Sequence, residues 1–423
     1  MARPLRVAML TTFYPPHNFG GDGIAIQRLS RALVRRGHEV TVVHDVDAYN
    51  TLNRGPDPAP VEEPAGLTVV GLKSGSGPLS PLLNQQLGRP VLTGGRIRDL
   101  LADGQFDIVH YNNISLIGGP GLLAIGDGVK VYEAHEHWLV CPSHVLWRHN
   151  RELCTGRQCL RCVLSYRRPP QAWRYAGSLE RRLSEIDVFI AKSEFSRRKH
   201  AEFGFKRDME VLPYFLPDVT VEQDRRSMVA GGSPHGRPYF LFVGRLEAIK
   251  GLDDVIPAFR EYGDADLLIA GDGNHRAALE ALAEGNPRVQ FLGRLAPEEL
   301  DGYYRSADAL IVPSLCYETF GIILIEAFRQ GTPVIARRLG PFPEIVETSG
   351  GGELFSDTEE LIHAMQRMRA DPEHRATCAE RARRSFRSRW SESAVVPAYL
   401  DLVGRAAERA GRHEIARAIS EAA

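Results

Sequence analysis

Apolar and polar positions follow one another along the chain in a repeating alternation. Short apolar runs at 5–13, 39–44, 67–72, 106–111, 129–134, 187–191 and 210–214 read as strands. Between most of them apolar residues recur three and four apart, as at Ile26, Leu29 and Leu33, which is the spacing of one helix face. The stretch 216–238 loses this periodicity and gathers Gly, Pro and charge, as an interdomain linker does. A second alternating set follows, with strands expected at 239–243, 266–270, 289–292, 309–312 and 333–336. From about 357 the pattern is helical to the end, and a helix restarts at Trp390-Ser-Glu-Ser after a short break. Strands alternating with helices predict doubly wound parallel α/β sheets. The expected layout is a domain over 1–215, a linker over 216–238, a second domain over 239–388, and helices over 389–423 that pack back on the first domain.

In such sheets ligands lie beyond the carboxyl ends of the strands, so the loops there carry the candidate chemistry. Phe19-Gly-Gly-Asp-Gly-Ile24 joins the first strand to the first helix, and Gly20 and Gly21 leave room for backbone N–H groups to approach an anion or a sugar. No Gly-Lys-Ser/Thr follows, so this is not a P-loop. Ile26 stands where a dinucleotide fingerprint needs a small residue, which disfavours an oxidoreductase. Val243-Gly-Arg-Leu-Glu-Ala-Ile-Lys-Gly251 brings Arg245 and Lys250 to the end of the second domain's first strand, and two cations beside a helix start suit a diphosphate. Gly271, in Ala270-Gly-Asp-Gly273, reads equally as a plain turn or a ligand contact, and Arg294 equally as a nucleotide contact or a solvated side chain.

Two carboxylates, Glu318 and Glu326, bracket Thr-Phe-Gly-Ile-Ile-Leu-Ile. An acid before a helix is ordinary, so Glu318 alone says little. Glu326 sits among Ile322, Ile323, Leu324, Ile325, Ala327 and Phe328, and a carboxylate in that company requires a specific hydrogen-bond partner. His135, in Tyr-Glu-Ala-His-Glu-His-Trp138, closes the 129–134 strand, with His137 two residues on as a rival for the same role.

Composition narrows the picture. A chain of 423 residues with 43% hydrophobic and 25% charged content has material for two or three domains. A formal charge of −1 argues against a nucleic-acid partner. No window approaches the roughly 18 uninterrupted apolar residues of a membrane span, and Met1-Ala-Arg-Pro runs straight into an apolar strand rather than a signal peptide. The expected address is cytoplasmic, with a peripheral contact at the inner membrane face through a basic group such as Arg197-Arg198-Lys199 as a minor alternative. Cys141, Cys154, Cys159 and Cys162 fall in one loop-like region, and the spacing of the last two is that of a zinc knuckle, which makes the four a candidate structural zinc site beside the alternatives of reduced thiols or an occasional disulfide.

Gly-Arg-Leu with Lys250-Gly251, then Ala-Gly-Asp-Gly, then Ala307-Asp308 before Val-Pro-Ser, then Glu318-x7-Glu326, in that order, resemble the family 4 retaining glycosyltransferases. The resemblance covers nearly the whole chain, including the N-terminal glycine loop and Arg36-Gly-His-Glu-Val40. It implies the GT-B fold, two Rossmann-like domains facing a central cleft, and a nucleotide-sugar co-substrate. By that resemblance Arg245 and Lys250 bind the donor diphosphate, Glu326 the nucleotide ribose, and Glu318 and His135 the donor sugar. Gly20 and Gly21 would lie under the phosphates or sugar, and Phe320, Gly321 and Ile322 would aim backbone N–H groups at the phosphates. Where the family has a His-Asp pair this chain has His135-Glu136, and some members carry a cysteine-bearing insertion after it.

The chemistry expected is transfer of a sugar from a UDP-sugar, with GDP-mannose next, to a sugar, lipid-linked sugar or small molecule. Growing charge on the leaving diphosphate would be met by Arg245 and Lys250, so no cofactor is expected for catalysis. Asp264-Ala-Asp266 opens its strand at the wrong end for a donor-bound metal, and Asp45-Val-Asp47 reads as loop surface. Attack from the leaving-group face, with the donor phosphate taking the acceptor's proton, is preferred over a covalent adduct on Glu318. The alternatives are a nucleotide-sugar epimerase or hydrolase on the same fold, and an inactive nucleotide-binding module.

Overall fold

A computed structural model of the protein describes residues 3–53, 55–219 and 232–422. The chain forms two compact units, Met1–Tyr214 with Val395–Ala423, and Phe215–Ala394. Of the expected linker, 220–231 lie outside the described residues.

In the first unit β1 (Arg6–Thr11), β2 (Glu39–Asp45), β3 (Leu67–Leu72), β4 (Ile108–Tyr111), β5 (Val129–Ala134), β8 (Val188–Ala191) and β9 (Glu210–Val211) form one parallel sheet in the order β3-β2-β1-β4-β5-β8-β9. Two short strands, β6 (Trp147–Arg148) and β7 (Glu152–Leu153), make an antiparallel hairpin inside the cysteine-bearing segment. Every residue of β4, β5 and β8 is buried, as in a parallel strand covered on both faces. That burial includes His110, Lys130 and Glu133, which must therefore find partners inside. The C-terminal part adds Tyr399, whose hydroxyl is 3.1 Å from His110 Nδ1 with the two rings stacked.

The expected strand at 210–214 is shorter than its apolar run. Leu212 still donates to the Ala191 carbonyl, but Pro213 has no N–H to continue the ladder. Asp45 and Asp47 are not loop surface either. Asp45 caps the Val46–Leu52 helix by accepting from the Ala48 N–H at 2.9 Å, and Asp47 accepts from the Ser74 hydroxyl at 2.6 Å.

The second unit is a parallel sheet of β10 (Tyr239–Val243), β11 (Asp266–Ala270), β12 (Val289–Gly293), β13 (Ala309–Val312), β14 (Val334–Arg337) and β15 (Gly352–Phe355), in the order β12-β11-β10-β13-β14-β15. Its core gathers Phe240, Phe242, Phe259, Ile269 and Ile311 from the sheet and its helices. The strand order reverses between β1 and β4 in the first unit and between β10 and β13 in the second. At such a reversal the loops leaving adjacent strands diverge and open a ligand crevice.

Candidate active site

In the second unit the loops leaving β10 and β13 are fastened together. The Leu315 N–H donates to the Ile249 carbonyl at 2.8 Å. Gly251 has φ +75°, and a Cβ there would overlap the Pro313 carbonyl oxygen, so only glycine lets the loops approach this closely. This contact carries Lys250 to Glu318, with Nζ 2.5 Å from Oε1. The Ser314 hydroxyl donates to the same oxygen at 3.4 Å. Burial works against the Lys250 ammonium, but the Glu318 carboxylate outweighs it and the pKa lies above that of an ordinary lysine. Burial also opposes ionisation of Glu318, and is outweighed in turn by Lys250, Arg245 and Ser314, which hold the carboxyl below the usual range. Arg245 is 63% exposed and 2.8 Å from Glu247, so the more accessible cation stands next to the locked pair.

Glu318 is followed by buried Phe320 and then by Gly321, which caps the Ile322–Gln330 helix in a left-handed conformation. The first N–H groups of a helix have no acceptor within it, and no acidic residue occupies this first turn. Glu326, one turn further on, accepts from the Tyr304 hydroxyl at 3.3 Å, which supplies the partner its apolar neighbours demand. Gly271 has a structural reason to be glycine. With φ +140°, a Cβ there would overlap the Gly244 carbonyl oxygen, and its N–H is already spent on Gly293 at 2.7 Å. Arg294 is exposed.

In the first unit the Gly21–Arg35 helix begins directly after Gly20, with Asp22 in its first turn. Asn113, just beyond β4, donates to Asp22 at 3.2 Å, so the loop after β1 and the end of β4 meet. His135 follows β5 and is nearly enclosed. Its Nε2 is 2.9 Å from Asn112 Oδ1 and its Nδ1 is 2.7 Å from the Tyr214 hydroxyl. Burial pulls His135 down to about 4, so it is neutral. His137 is also buried and packs on the His200 ring, 5.2 Å between centroids. Glu136, standing where the family resemblance has Asp, pairs with His144 at 2.8 Å. Asn112, Tyr214 and Tyr304 carry no signal in the chain pattern that marks them for the site. Glu133 and Lys192, at the ends of apolar runs, could have been noticed as charges with nowhere to go.

Cys141, Cys154, Cys159 and Cys162 line one pocket together with Leu146, Arg157 and Phe203. Three of the sulfurs have separate local partners: Cys141 lies 3.2 Å from the Ser143 hydroxyl, Cys154 donates to the Gly156 carbonyl at 3.4 Å, and Cys162 accepts the His149 N–H at 3.3 Å. Among the described residues no group of three or more His, Cys, Asp or Glu is arranged to hold a metal ion.

Two family models match one after the other, Glycosyltransferase Family 4 over residues 19–216 and Glycosyl transferases group 1 over 223–385. The chain belongs to the family 4 glycosyltransferases. The D-inositol 3-phosphate glycosyltransferase of Xylanimonas cellulosilytica is 29% identical, over 96% of this chain and 97% of that protein. Among solved structures, the sucrose-phosphate synthase of Thermosynechococcus elongatus matches with a TM-score of 0.71 at 20% identity, covering 94% of this chain and 98% of its own. Anabaena HepE, in complex with UDP and glucose, matches with a TM-score of 0.62 at 17% identity, over 95% and 100% of the two chains. The fold of this family 4 glycosyltransferase is GT-B. Among the described residues no helix is long and apolar enough to cross a membrane.

Proposed function

We propose that the protein is a retaining glycosyltransferase that moves a sugar from a nucleotide diphosphate, a UDP-sugar before GDP-mannose, to a sugar, lipid-linked sugar or small-molecule acceptor. The observation that carries this reading is the Lys250–Glu318 pair, 2.5 Å apart where the second unit's strand order reverses, with Arg245 alongside. Arg245, Lys250 and the N-terminus of the Ile322–Gln330 helix would meet the charge that grows on the leaving diphosphate, without a metal ion in the chemistry. Phe320, Gly321 and Ile322 would offer backbone N–H groups to the phosphates. Glu326 would hold the ribose while Tyr304 holds Glu326, and Glu318 would take a donor-sugar hydroxyl. The UDP and glucose bound by HepE favour uridine as the donor base. In the first unit Gly20 and Gly21 would lie against the phosphates or sugar, and His135, rather than His137 packed on His200, is assigned to the donor sugar. The acceptor attacks from the leaving-group face and the donor phosphate takes its proton. The protein would work in the cytoplasm, at the inner membrane face when the acceptor is lipid-linked.

A thermal-shift screen of UDP, GDP, ADP and TDP sugars tests the donor side. One nucleotide should raise the melting temperature in proportion to ln(1 + [L]/Kd), and no shift with any of them would defeat the reading. Product analysis tests the reaction: release of nucleoside diphosphate should depend on added acceptor and give a product with the donor's anomeric configuration. An altered donor formed without acceptor would instead identify an epimerase.

A further inference from the structure

Behind His135 lies a buried polar group that the transfer chemistry does not use. Glu133, the penultimate residue of β5, and Lys192, the residue after β8, have side chains 5% and 3% exposed and are in direct contact as an ion pair. Lys192 Nζ also donates to the Leu212 carbonyl at 3.2 Å and lies 4.5 Å from the centre of the Tyr214 ring. The other Glu133 oxygen is 3.0 Å from His110 Nε2. Burial alone pulls the Lys192 ammonium down to about 7, so contact with a carboxylate and an aromatic face is what replaces its water. A buried ion pair is an expensive way to hold strands together, since apolar residues of similar size usually do it as well or better. The pair therefore calls for a purpose beyond stability.

Its contacts lead to His135. Asn112 Nδ2 donates to the His110 carbonyl at 3.2 Å, which turns Asn112 Oδ1 toward His135. An amide oxygen only accepts, so His135 Nε2 carries the proton and Nδ1 accepts from the Tyr214 hydroxyl. One neutral tautomer and one ring plane are thereby selected. Tyr214 lies three residues past the two-residue strand β9 and directly after Pro213, so the ladder offers it little hold of its own. Lys192 supplies the hold by gripping both the Leu212 carbonyl and the Tyr214 ring.

We propose that Glu133 and Lys192 are positioning residues for the transfer reaction, fixing Tyr214 and through it the tautomer and orientation of His135. The proposal rests on the assignment of His135 to the donor sugar. Three variants separate the two: His135→Ala, Tyr214→Phe and Lys192→Met. With an acceptor and saturating donor, H135A should lose transfer activity. Y214F and K192M should lower kcat by about ten- to a hundredfold, a typical loss when the partner of a working imidazole is removed. Donor KM should stay within about twofold, because the effect is on geometry in the transition state rather than on uniform binding. K192R, which keeps a cation over the ring, should recover much of the loss. The readout that a merely structural role would not move is the nitrogen-15 spectrum of the His135 imidazole, expected as the Nε2–H form in the wild-type protein and as a tautomer mixture in Y214F and K192M. Wild-type activity in H135A overturns the His135 assignment and the proposal with it. Loss in H135A, with wild-type kcat and tautomer in Y214F and K192M, overturns the proposal alone. Should K192M fail to fold, Y214F decides, since it removes one hydroxyl and keeps the ring.

Discussion

Lys250 and Glu318 shift each other's ionisation in opposite directions, and the signs fix where the pair matters. The Lys250 pKa is raised, so its contribution is complete below the ordinary lysine value and lost as pH rises through the folded one. The Glu318 pKa is lowered, so its contribution is complete above the ordinary carboxyl value and lost as pH falls through the folded one. The pair is therefore intact across the neutral range. Lys250→Met leaves Glu318 half-buried with its main cation gone, and burial then pushes the carboxyl upward. We expect kcat/KM for the donor to fall about a hundredfold, on the order of 3 kcal/mol, as when one partner of such a pair is truncated. The acid limb of the pH–rate profile should move to higher pH, and a profile of unchanged shape would refute this account of Glu318. Glu326→Gln is the gentler counterpart. The amide oxygen still accepts from Tyr304, so the melting temperature should hardly change, while nucleotide Kd from calorimetry should rise about tenfold, the scale of one hydrogen bond to a charged group. Chain pattern alone showed that Glu326 must have a partner. It could not name Tyr304, which lies 22 residues away in sequence and meets Glu326 only once the helices pack.

Elements were legible where burial writes itself into the sequence. The expected strands at 129–134, 239–243, 266–270 and 309–312 coincide with β5, β10, β11 and β13, because strands covered on both faces must be mainly apolar, while β3, at a sheet edge, matches 67–72 with only Leu67 and Leu72 buried. β15 left no such mark. It lies at the sheet edge with glycine at its first position, and only its last residue, Phe355, is fully buried. The β6–β7 hairpin is two residues per strand, too short for any period. Glycine loops were visible as motifs, but their physical reasons differ from one another. Gly271→Ala forces a Cβ onto the Gly244 carbonyl at φ +140°, and should destabilise the protein by about 2 kcal/mol or more. At Gly21, the first helical residue, an added Cβ meets nothing within 4 Å. Gly21→Ala should therefore leave the melting temperature unchanged or slightly raised. If substrate comes to rest against this backbone, the same methyl weakens it, and a raised KM at unchanged stability is the expected result. Wild-type kinetics in Gly21→Ala would remove this loop from the site.

At the scale of the whole molecule the charges that decide pH stability are concentrated in the first unit. Burial lowers His44, His135 and His200 to about 4, and His110 well below its ordinary value, and all four belong to that unit. A histidine whose folded pKa lies below its unfolded value binds more protons when unfolded. Stability is then full above about pH 6.5 and falls as pH drops through the window down to about 4. Between pH 7 and pH 5.5 each of the three at about 4 should cost on the order of 1 kcal/mol. Asp45 acts in the other direction. Burial raises it to about 6, so the folded state takes up its proton first and gains stability over the same interval, by somewhat less than one histidine loses. The net expectation is a loss of at least about 2 kcal/mol on acidification to pH 5.5, to which His110 adds in the same direction, borne by the first unit. Chemical denaturation followed through Trp138 and Trp173, both buried in that unit, should show its midpoint falling over this interval. In His200→Gln, which has no imidazole to protonate against the His137 ring, the fall should be smaller by about one histidine's share. A midpoint that is flat or rises between pH 7 and pH 5.5 would mean that these histidines take up protons inside the folded unit, and that their burial is looser than the packing around them indicates.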